Sequence, residues 1–252
     1  MSKHPDVLWL NTNRSFQCFA QRLLNQLSKQ VSIGTWEYSQ NQDEPCSLDV
    51  ALILLHDYLK CRQQPIDLIG HSTGGLLGLL YARQHPERVR SLTLLAVGVH
   101  PAVDWQAHYY SRLEFLRCTR QIVLAQMVYN FFGDQEKSNF KRLVKILERD
   151  LLSSPSAHSL WHRDSIPSGG VCAPLMVCGS KNDFIVDTNA LQQWRTYFKD
   201  TDCLWQCPTG GHFFHHFQSQ LVAEQIFKFW HVINQEQLTH SLDYQISSHL
   251  QF

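Results

Sequence analysis

The sequence predicts an α/β protein with a mostly parallel sheet of about six strands, flanked by helices and interrupted by a helical insertion. Short apolar runs alternate with segments of helical spacing along most of the chain, which is the pattern of repeated strand–helix–strand units. From about Val99 to Val171 the spacing is helical and no strand pattern occurs. A chain of 252 residues, 44% of them hydrophobic, is long enough for one large domain carrying such an insertion.

Four strands and three helices are predicted before the insertion. Continuously apolar or alternating runs predict strands at residues 6–10, 31–39, 66–70 and 90–98. Apolar residues at helical spacing predict helices at residues 16–27, 47–59 and 75–85. The third helix ends before Pro86, which cannot continue a helix. This alternation predicts parallel strands with helices on both faces of the sheet.

The second half of the chain resumes the strand pattern after the insertion. The last of four helical segments within the insertion is 154–164, where Ser154 is a candidate N-cap and Pro155 the first helical residue. The remaining elements are two strands, residues 173–179 and 202–207, and two helices, residues 188–198 and 218–233.

These elements divide the chain into a core, an insertion and a tail. The predicted boundaries are a first core segment at 1–98, the helical insertion at 99–172, a second core segment at 173–233 and a tail at 234–252. In the tail, Leu or Ile recurs at positions 238, 242, 246 and 250. A docked helix and a frayed terminus both fit this tail.

Composition argues against several functional classes. Lysine plus arginine equals aspartate plus glutamate at 22 each, so neither nucleic acid nor an anionic membrane is expected as the main partner. The apolar stretches are too short to cross a bilayer or to form the apolar region of a signal peptide, so no transmembrane segment is expected. The eight cysteines form no C-x-x-C pair. We therefore expect reduced thiols and a cytoplasmic location.

The stretch DLIGHSTGGLLG, residues 67–78, contains the first candidate site residue. Ser72 follows a predicted strand and precedes a predicted helix, so it is either a helix N-cap or a reactive nucleophile. In the nucleophile elbow, G-x-S-x-G, small residues are needed two positions before and after the serine, and Gly70 and Gly74 occupy those positions. The N–H of Thr73 would then be one oxyanion donor.

A nucleophilic serine needs a base, and the base needs an orienting acid. Asp183 follows the strand at 173–179, and His212 follows the strand at 202–207. Parallel strands would bring both side chains to the same edge of the sheet as Ser72. The alternative to Asp183 as the acid is Asp187, and the alternatives to His212 as the base are His215 and His216.

Together the segments GHSTGG, GSKNDFIVD and PTGGHFF resemble the nucleophile, acid and histidine loops of the α/β-hydrolase family. The resemblance spans roughly residues 5–233, and the helical insertion lies where this family usually carries a cap. It implies a serine hydrolase that cleaves a carboxylic ester of a small or medium apolar compound through an acyl-enzyme. The catalytic residues would be Ser72, Asp183 and His212, and no metal or organic cofactor is implied.

The insertion supplies aromatic side chains that suit an apolar substrate. Most of them are expected to pack the insertion against itself and the core, and some to line a pocket. They are Trp105, Tyr109, Tyr110, Phe115, Tyr129, Phe131 and Phe132. His158 and His162 are spaced like a pair of metal ligands, but without a third ligand an ordinary helix face is the better interpretation.

Two departures from the family pattern are visible. No strand pattern precedes residues 6–10, so the leading hairpin is missing. The family's His-Gly after that strand is replaced by Asn11-Thr12-Asn13. By position, the N–H of Asn13 would be the second oxyanion donor, with Thr12 as the alternative. A displaced loop would leave a slow enzyme or a binding or regulatory protein on a hydrolase scaffold, because one lost oxyanion donor costs about two to three orders of magnitude in rate.

Overall fold

Six parallel strands form the centre of the protein. The computed structural model describes residues 5–40, 47–116, 118–157 and 165–249, the last fourteen of them by their backbone. The strands are β1 (Val7–Asn11), β2 (Ile33–Glu37), β3 (Ile66–His71), β4 (Val89–Leu95), β5 (Leu175–Ser180) and β6 (Cys203–Cys207). Their order is β2-β1-β3-β4-β5-β6, and all five pairings are parallel. The predicted fold class is confirmed, and within the described residues no strand precedes β1.

Burial explains why some strands are easier to recognise in the sequence than others. Every residue of β1, β3 and β5 is buried, so these strands are covered on both faces and have continuous apolar runs. The edge strand β2 has only Trp36 fully buried, and its sequence alternates accordingly. Strand order reverses between β1 and β3, and in open α/β sheets ligands bind at the carboxyl ends of strands beside such a reversal.

Helices cover both faces of the sheet. They are α1 (Gln17–Leu27), α2 (Asp49–Leu59), α3 (Thr73–Gln84), α4 (Trp105–Phe115), α5 (Arg120–Phe132), α6 (Lys137–Ser153), α7 (Thr188–Gln192), α8 (Phe214–Phe217) and α9 (Ser219–His249). One apolar cluster joins α2 and α3 to the first face, and another joins α1 and α9 to the second. Helices α4, α5 and α6 lie between β4 and β5 in the chain.

The structure corrects the prediction of a helix at 154–164. Ser154 does not begin a helix: it ends α6, and its hydroxyl donates to Asp150 Oδ1 at 2.6 Å. The residues that follow, as far as Ala157, are not helical. A serine that bonds back to the residue four positions earlier satisfies polar groups at a helix C-terminus, which its N-cap preference alone does not predict. Residues 158–164, with His158 and His162, lie outside the described residues.

Two predicted helices have different extents in the structure. The helix predicted at 188–198 divides into α7 and a 3-10 segment, Gln193–Tyr197. The last helix continues to His249 instead of ending at residue 233, which agrees with the absence of glycine and proline between residues 234 and 249. None of the helices in the described residues has the length and apolar character needed to cross a bilayer.

Helix α2 offers a direct test of which of its faces stabilises the fold. Leu55 is fully buried against the sheet, whereas its neighbour Leu54 is 46% exposed. We expect Leu55→Ala to lower the free energy of unfolding by about 2–5 kcal/mol, because it leaves a cavity in the core. The matched change Leu54→Ala should lower it by less than about 1 kcal/mol. Urea denaturation of both variants measures the difference, and equal losses would contradict the packing of α2.

Candidate active site

Ser72 lies on a sharp turn between β3 and α3. Its backbone has φ 50° and ψ −122°, a positive φ that residues with a side chain rarely adopt. The Ser72 N–H donates to the carbonyl of Leu95 on β4 at 2.9 Å, and this bond holds the turn against the sheet. The Ser72 side chain makes no capping hydrogen bond to α3. Its hydroxyl is therefore not occupied as an N-cap, and backbone strain of this kind is concentrated at functional sites.

Two glycines allow α3 to start in contact with the strands. A Cβ on Gly70 would lie 2.4 Å from the carbonyl carbon and oxygen of Gly74. A Cβ on Gly74 would lie 2.3 Å from the carbonyl oxygen of Leu10, at the end of β1. Both obstacles are backbone atoms, so a side chain at either position would push α3 away from the sheet. Thr73 begins α3, so its N–H is one of the first-turn amides that have no intrahelical acceptor.

Strands β5 and β6 bring Asp183 and His212 together. His212 Nδ1 lies 3.0 Å from Asp183 Oδ2, and both side chains are completely buried. The other carboxylate oxygen, Asp183 Oδ1, accepts the N–H of Ile185 at 2.8 Å. A carboxylate can only accept here, so the proton of neutral His212 is on Nδ1 and the lone pair is on Nε2.

The alternative acid and bases have other roles in the structure. Asp187 is the N-cap of α7 and accepts the N–H of Ala190 at 2.8 Å. His216 places Nδ1 3.2 Å from the carbonyl of Phe19. His215 is buried in the short helix α8, with its ring centroid 4.3 Å from that of His71.

Two reactive atoms of the site are buried without a partner. Ser72 Oγ and His212 Nε2 both lack a hydrogen bond within the part of the chain that the structure describes. Other buried polar atoms of the described residues also lack a partner, His215 Nδ1 among them. Ser72 Oγ and His212 Nε2 are distinguished by their positions, on the elbow and on the ring that pairs with Asp183. One atom is a potential nucleophile and the other carries the free lone pair of a potential base.

Two further histidines pack beside His212. His71 Nε2 lies 2.9 Å from the carbonyl oxygen of His212, so this nitrogen carries a proton and holds the histidine loop. Burial, and then the neighbouring His215 and His212, hold the pKa of His71 well below its ordinary value. Burial is also the main reason that the pKa of His215 falls to about 3. The two neutral rings add no positive charge beside His212. The sequence does not predict this cluster, although His71 lies within the GHSTGG segment and His215 directly follows PTGGHFF.

The loop after β1 is held by side-chain hydrogen bonds. Asn13 has φ −118° and ψ 73°, which needs no glycine. Its N–H, the predicted second oxyanion donor, donates to Asn11 Oδ1 at 3.3 Å. Its side-chain amide donates to both oxygens of Asp150 on α6, at 3.2 and 3.1 Å, while the Thr12 hydroxyl donates to Asn13 Oδ1 at 3.0 Å. Thr12 and Asn13 are both buried.

Sequence analysis also missed Asp150. A signal for it exists, because Asp150 falls on the same helical face as Leu143 and Leu147. An acidic residue on the apolar face of an amphipathic helix indicates a buried carboxylate that needs hydrogen-bond donors.

Aromatic rings from the insertion contact the site. The ring of Phe131 on α5 stacks on His212 with centroids 5.4 Å apart, and Phe184 lies 5.1 Å from Phe131. Burial lowers the pKa of His108 on α4, and His212 lowers it further. Of the other aromatic residues in the insertion, Phe115 and Tyr129 are exposed. The insertion thus places an aromatic ring, that of Phe131, against one side of His212.

The described residues contain neither a cluster of metal ligands nor a disulfide. No group of three or more histidine, cysteine or acidic side chains is arranged there to hold a metal ion. The seven cysteines that the structure describes are free, and Cys46 lies outside that part of the chain. Burial raises the pKa of Cys178 well above its ordinary value and also raises that of Cys207, so both thiols stay protonated at neutral pH.

Known proteins resemble this chain in sequence and in fold. Residues 59–116 match the family described as alpha/beta hydrolase fold. An uncharacterized protein of Nostoc sp. (strain PCC 7120) is 43% identical to this chain over 251 residues, and the alignment covers 100% of each of the two chains. A serine hydrolase of Cycloclasticus zankles superposes with a TM-score of 0.66 at 16% identity, over 90% of each chain. An esterase of Exiguobacterium antarcticum gives 0.64 at 15% identity, over 91% of this chain and 92% of its own.

The chain belongs to the α/β-hydrolase family. The expectation based on the three motifs is thereby confirmed at the level of family and fold. The solved structures are too distant in sequence to show more than the fold.

The buried histidines of this α/β-hydrolase predict a loss of stability in acid. The folded-state pKa of His215, about 3, is below its ordinary value of 6.5. Between these pH values the unfolded chain binds a proton at His215 that the folded chain excludes. The contribution of neutral His215 to the free energy of unfolding is therefore complete above pH 6.5 and is lost as the pH falls. One such group gives a slope of about 1.4 kcal/mol per pH unit. Chemical denaturation from pH 7.5 to 4.5 should show a shallower slope for His215→Phe than for wild type, and parallel curves would contradict it.

Proposed function

We propose that this α/β-hydrolase is a serine hydrolase that cleaves a carboxylic ester of a small or medium apolar compound. The observation that supports the proposal is the pairing of His212 Nδ1 with Asp183, together with a buried His212 Nε2 and a buried Ser72 Oγ that have no hydrogen-bond partner among the described residues. A nucleophile on an elbow, a base with a free lone pair and an acid that orients the base are the three parts of acyl-transfer catalysis.

The reaction would proceed in two halves. His212 Nε2 takes the proton of Ser72 as Oγ attacks the ester carbonyl carbon, and the carbonyl oxygen becomes an oxyanion. The imidazolium, stabilised by Asp183, then gives that proton to the departing alkoxide, leaving an acyl-enzyme and a free alcohol. In the second half, water loses a proton to His212 and attacks the acyl carbon. Collapse of this intermediate returns the proton to Ser72 and releases the carboxylic acid.

Oxyanion stabilisation would come from two backbone N–H groups. The first is that of Thr73, at the positive end of α3. The second is that of Asn13, whose contact with Asn11 Oδ1 is long at 3.3 Å, so an oxyanion, which is a stronger acceptor, can share or replace it.

An apolar substrate suits the rings around His212. Phe131 stacks on His212, and Phe184 and Phe213 pack against Phe131. These side chains offer no hydrogen bonds to a polar acyl or alcohol group, so a polar substrate would lose hydration without compensation. Helices α4 to α6 would act as the cap over the site. This chain shares its fold with an esterase from Exiguobacterium antarcticum, and that likeness fits the proposal of ester cleavage.

One observation favours a second function. Because the Asn13 N–H already has an acceptor within its own loop, the oxyanion hole has one uncommitted donor. A protein that uses the hydrolase fold for binding or regulation, with weak or no turnover, would have this arrangement. Such a protein would bind a small apolar compound without cleaving it, and covalent labelling separates the two functions.

The first test is covalent labelling of the nucleophile. A fluorophosphonate probe should form one adduct, at Ser72, because this hydroxyl lies on the elbow at the edge of the sheet that also carries the His212–Asp183 pair. Ser72→Ala should lose the adduct and lower kcat for p-nitrophenyl butyrate by at least about 10³-fold, while the thermal melting curve stays cooperative. Peptide mass mapping locates the adduct. An adduct elsewhere, or none on folded wild-type protein, would favour the binding function.

The assignment of the acid has a matched control in the same loop. Asp183→Asn should lower kcat by roughly 10³–10⁴-fold, because an amide cannot orient the His212 tautomer or stabilise its imidazolium. Asp187→Asn keeps a side-chain oxygen that can cap α7, because Asn is about as good an N-cap as Asp, so kcat should change by less than about threefold with little loss of stability. Steady-state kinetics with p-nitrophenyl butyrate distinguishes the two, and the reverse order of effects would reassign the acid to Asp187.

A further inference from the structure

Asp150 is a completely buried carboxylate outside the triad. It lies on α6 in the insertion, and its exposed fraction is 0%. Burial raises the pKa of Asp150 to about 6, although hydrogen bonds from Ser154, Trp105, Asn13 and Gln106 lower it. Burying a carboxylate in a protein core costs free energy unless it is well hydrogen-bonded. Its position therefore calls for an explanation beyond packing.

Neutral donors from three parts of the chain converge on this carboxylate. On the insertion side, Trp105 Nε1 donates to Oδ2 at 2.8 Å and Ser154 Oγ donates to Oδ1 at 2.6 Å. On the core side, Asn13 Nδ2 donates to both oxygens at 3.2 and 3.1 Å. None of these donors is charged, and Asp150 forms no ion pair with a described residue. The carboxylate thus joins the insertion to the loop after β1.

That loop needs an external restraint. Asn13 has φ −118° and ψ 73°, outside the helical and extended regions, so its own backbone preference does not fix the loop. Side-chain bonds fix it instead, through Thr12 Oγ1 to Asn13 Oδ1 and Asn13 Nδ2 to Asp150. The loop also touches the elbow, since a Cβ on Gly74 would lie 3.8 Å from Thr12 Oγ1. Movement of the loop would therefore alter the oxyanion side of Ser72.

We propose that Asp150 is a positioning residue for the oxyanion loop, Asn11–Asn13, and that it acts by holding the side-chain amide of Asn13. The proposal rests on the proposed function. Through this contact the insertion takes part in the geometry of the oxyanion hole, in addition to covering the substrate. Hydrogen bonds to an ionised carboxylate are stronger than those between neutral groups, which suits a restraint that must keep an N–H in place while charge develops.

A purely structural role for Asp150 makes a different prediction. If the carboxylate only joined α6 to α4 and the core, removal of any donor would lower stability and leave kcat unchanged at temperatures well below the melting point. If it positions the loop, only lesions in the Asn13–Asp150 contact should lower kcat. Ser154 provides the control, because Ser154→Ala removes a donor from the same carboxylate without touching the loop.

The experiment is a double-mutant cycle in kcat with p-nitrophenyl butyrate. Asp150→Ala and Asn13→Ala should each lower kcat by about 10–100-fold with KM within threefold, because a misplaced oxyanion donor weakens binding of the transition state more than of the substrate. The double variant should be no more than about threefold slower than the slower single variant. Ser154→Ala should keep kcat within twofold. Asp150→Asn should keep more kcat than Asp150→Ala, because the oxygen of the introduced amide can still accept from Asn13 Nδ2.

Each alternative outcome has a defined meaning. The positioning role would be overturned if the losses of kcat in Asp150→Ala and Asn13→Ala multiplied in the double variant. It would also be overturned by an unchanged kcat in folded Asp150→Ala, or by a loss of kcat in Ser154→Ala equal to that in Asp150→Ala. If Asp150→Ala does not fold, Asn13→Ala tests the same contact from the loop side, and an unchanged kcat there overturns the proposal. Fluorophosphonate labelling of wild type separates the two proposals: a labelled Ser72 with unaffected variants refutes only the role of Asp150, whereas an unlabelled Ser72 refutes the proposed function and this role with it.

Discussion

The close contact between β3, α3 and the end of β1 is the constraint on which the rest of the site depends. Gly70, Gly74 and the carbonyl of Leu10 meet at distances that leave no room for a side chain. This contact forces the intervening Ser72 into a positive φ and directs its side chain away from the packed interface. Without the contact, the same serine would be an ordinary N-cap, since its residue type alone suits either role.

The same contact sets where the other site residues must lie. Because β3 is central and its neighbours are parallel, the loops after β1, β5 and β6 open at the edge of the sheet where Ser72 lies. Asp183 and His212 follow β5 and β6, and both are excluded from solvent. Burial strengthens their hydrogen bond electrostatically, and it also keeps His71 and His215 neutral.

The sequence predicts the parts of this protein that depend on local patterns. Strand periodicity, glycine spacing and loop order are local patterns. They predict a parallel sheet of about six strands, with Ser72, Asp183 and His212 in loops at one edge of it. The sequence favours Asp183 over Asp187 as the acid, and the two acids differ in their contacts in the structure, where Asp183 pairs with His212 and Asp187 caps α7. Because serine suits an N-cap, the sequence predicts that Ser154 begins a helix, whereas in the structure it follows the end of α6. Its hydrogen-bond partner there, Asp150, is identified only from the structure.

Long-range polar contacts are the part that the sequence does not specify. Asn13 and Asp150 are 137 residues apart, and neither residue type indicates a partner at that separation. Taken by itself, the replacement of His-Gly by Asn-Thr-Asn therefore predicts a displaced oxyanion loop. In the structure the same asparagine reaches a buried carboxylate of α6, so the loop is restrained from the insertion side. A glycine at position 13 would have no side chain to make that contact. The departure from the family pattern and the buried acid in the insertion are therefore two halves of one interaction.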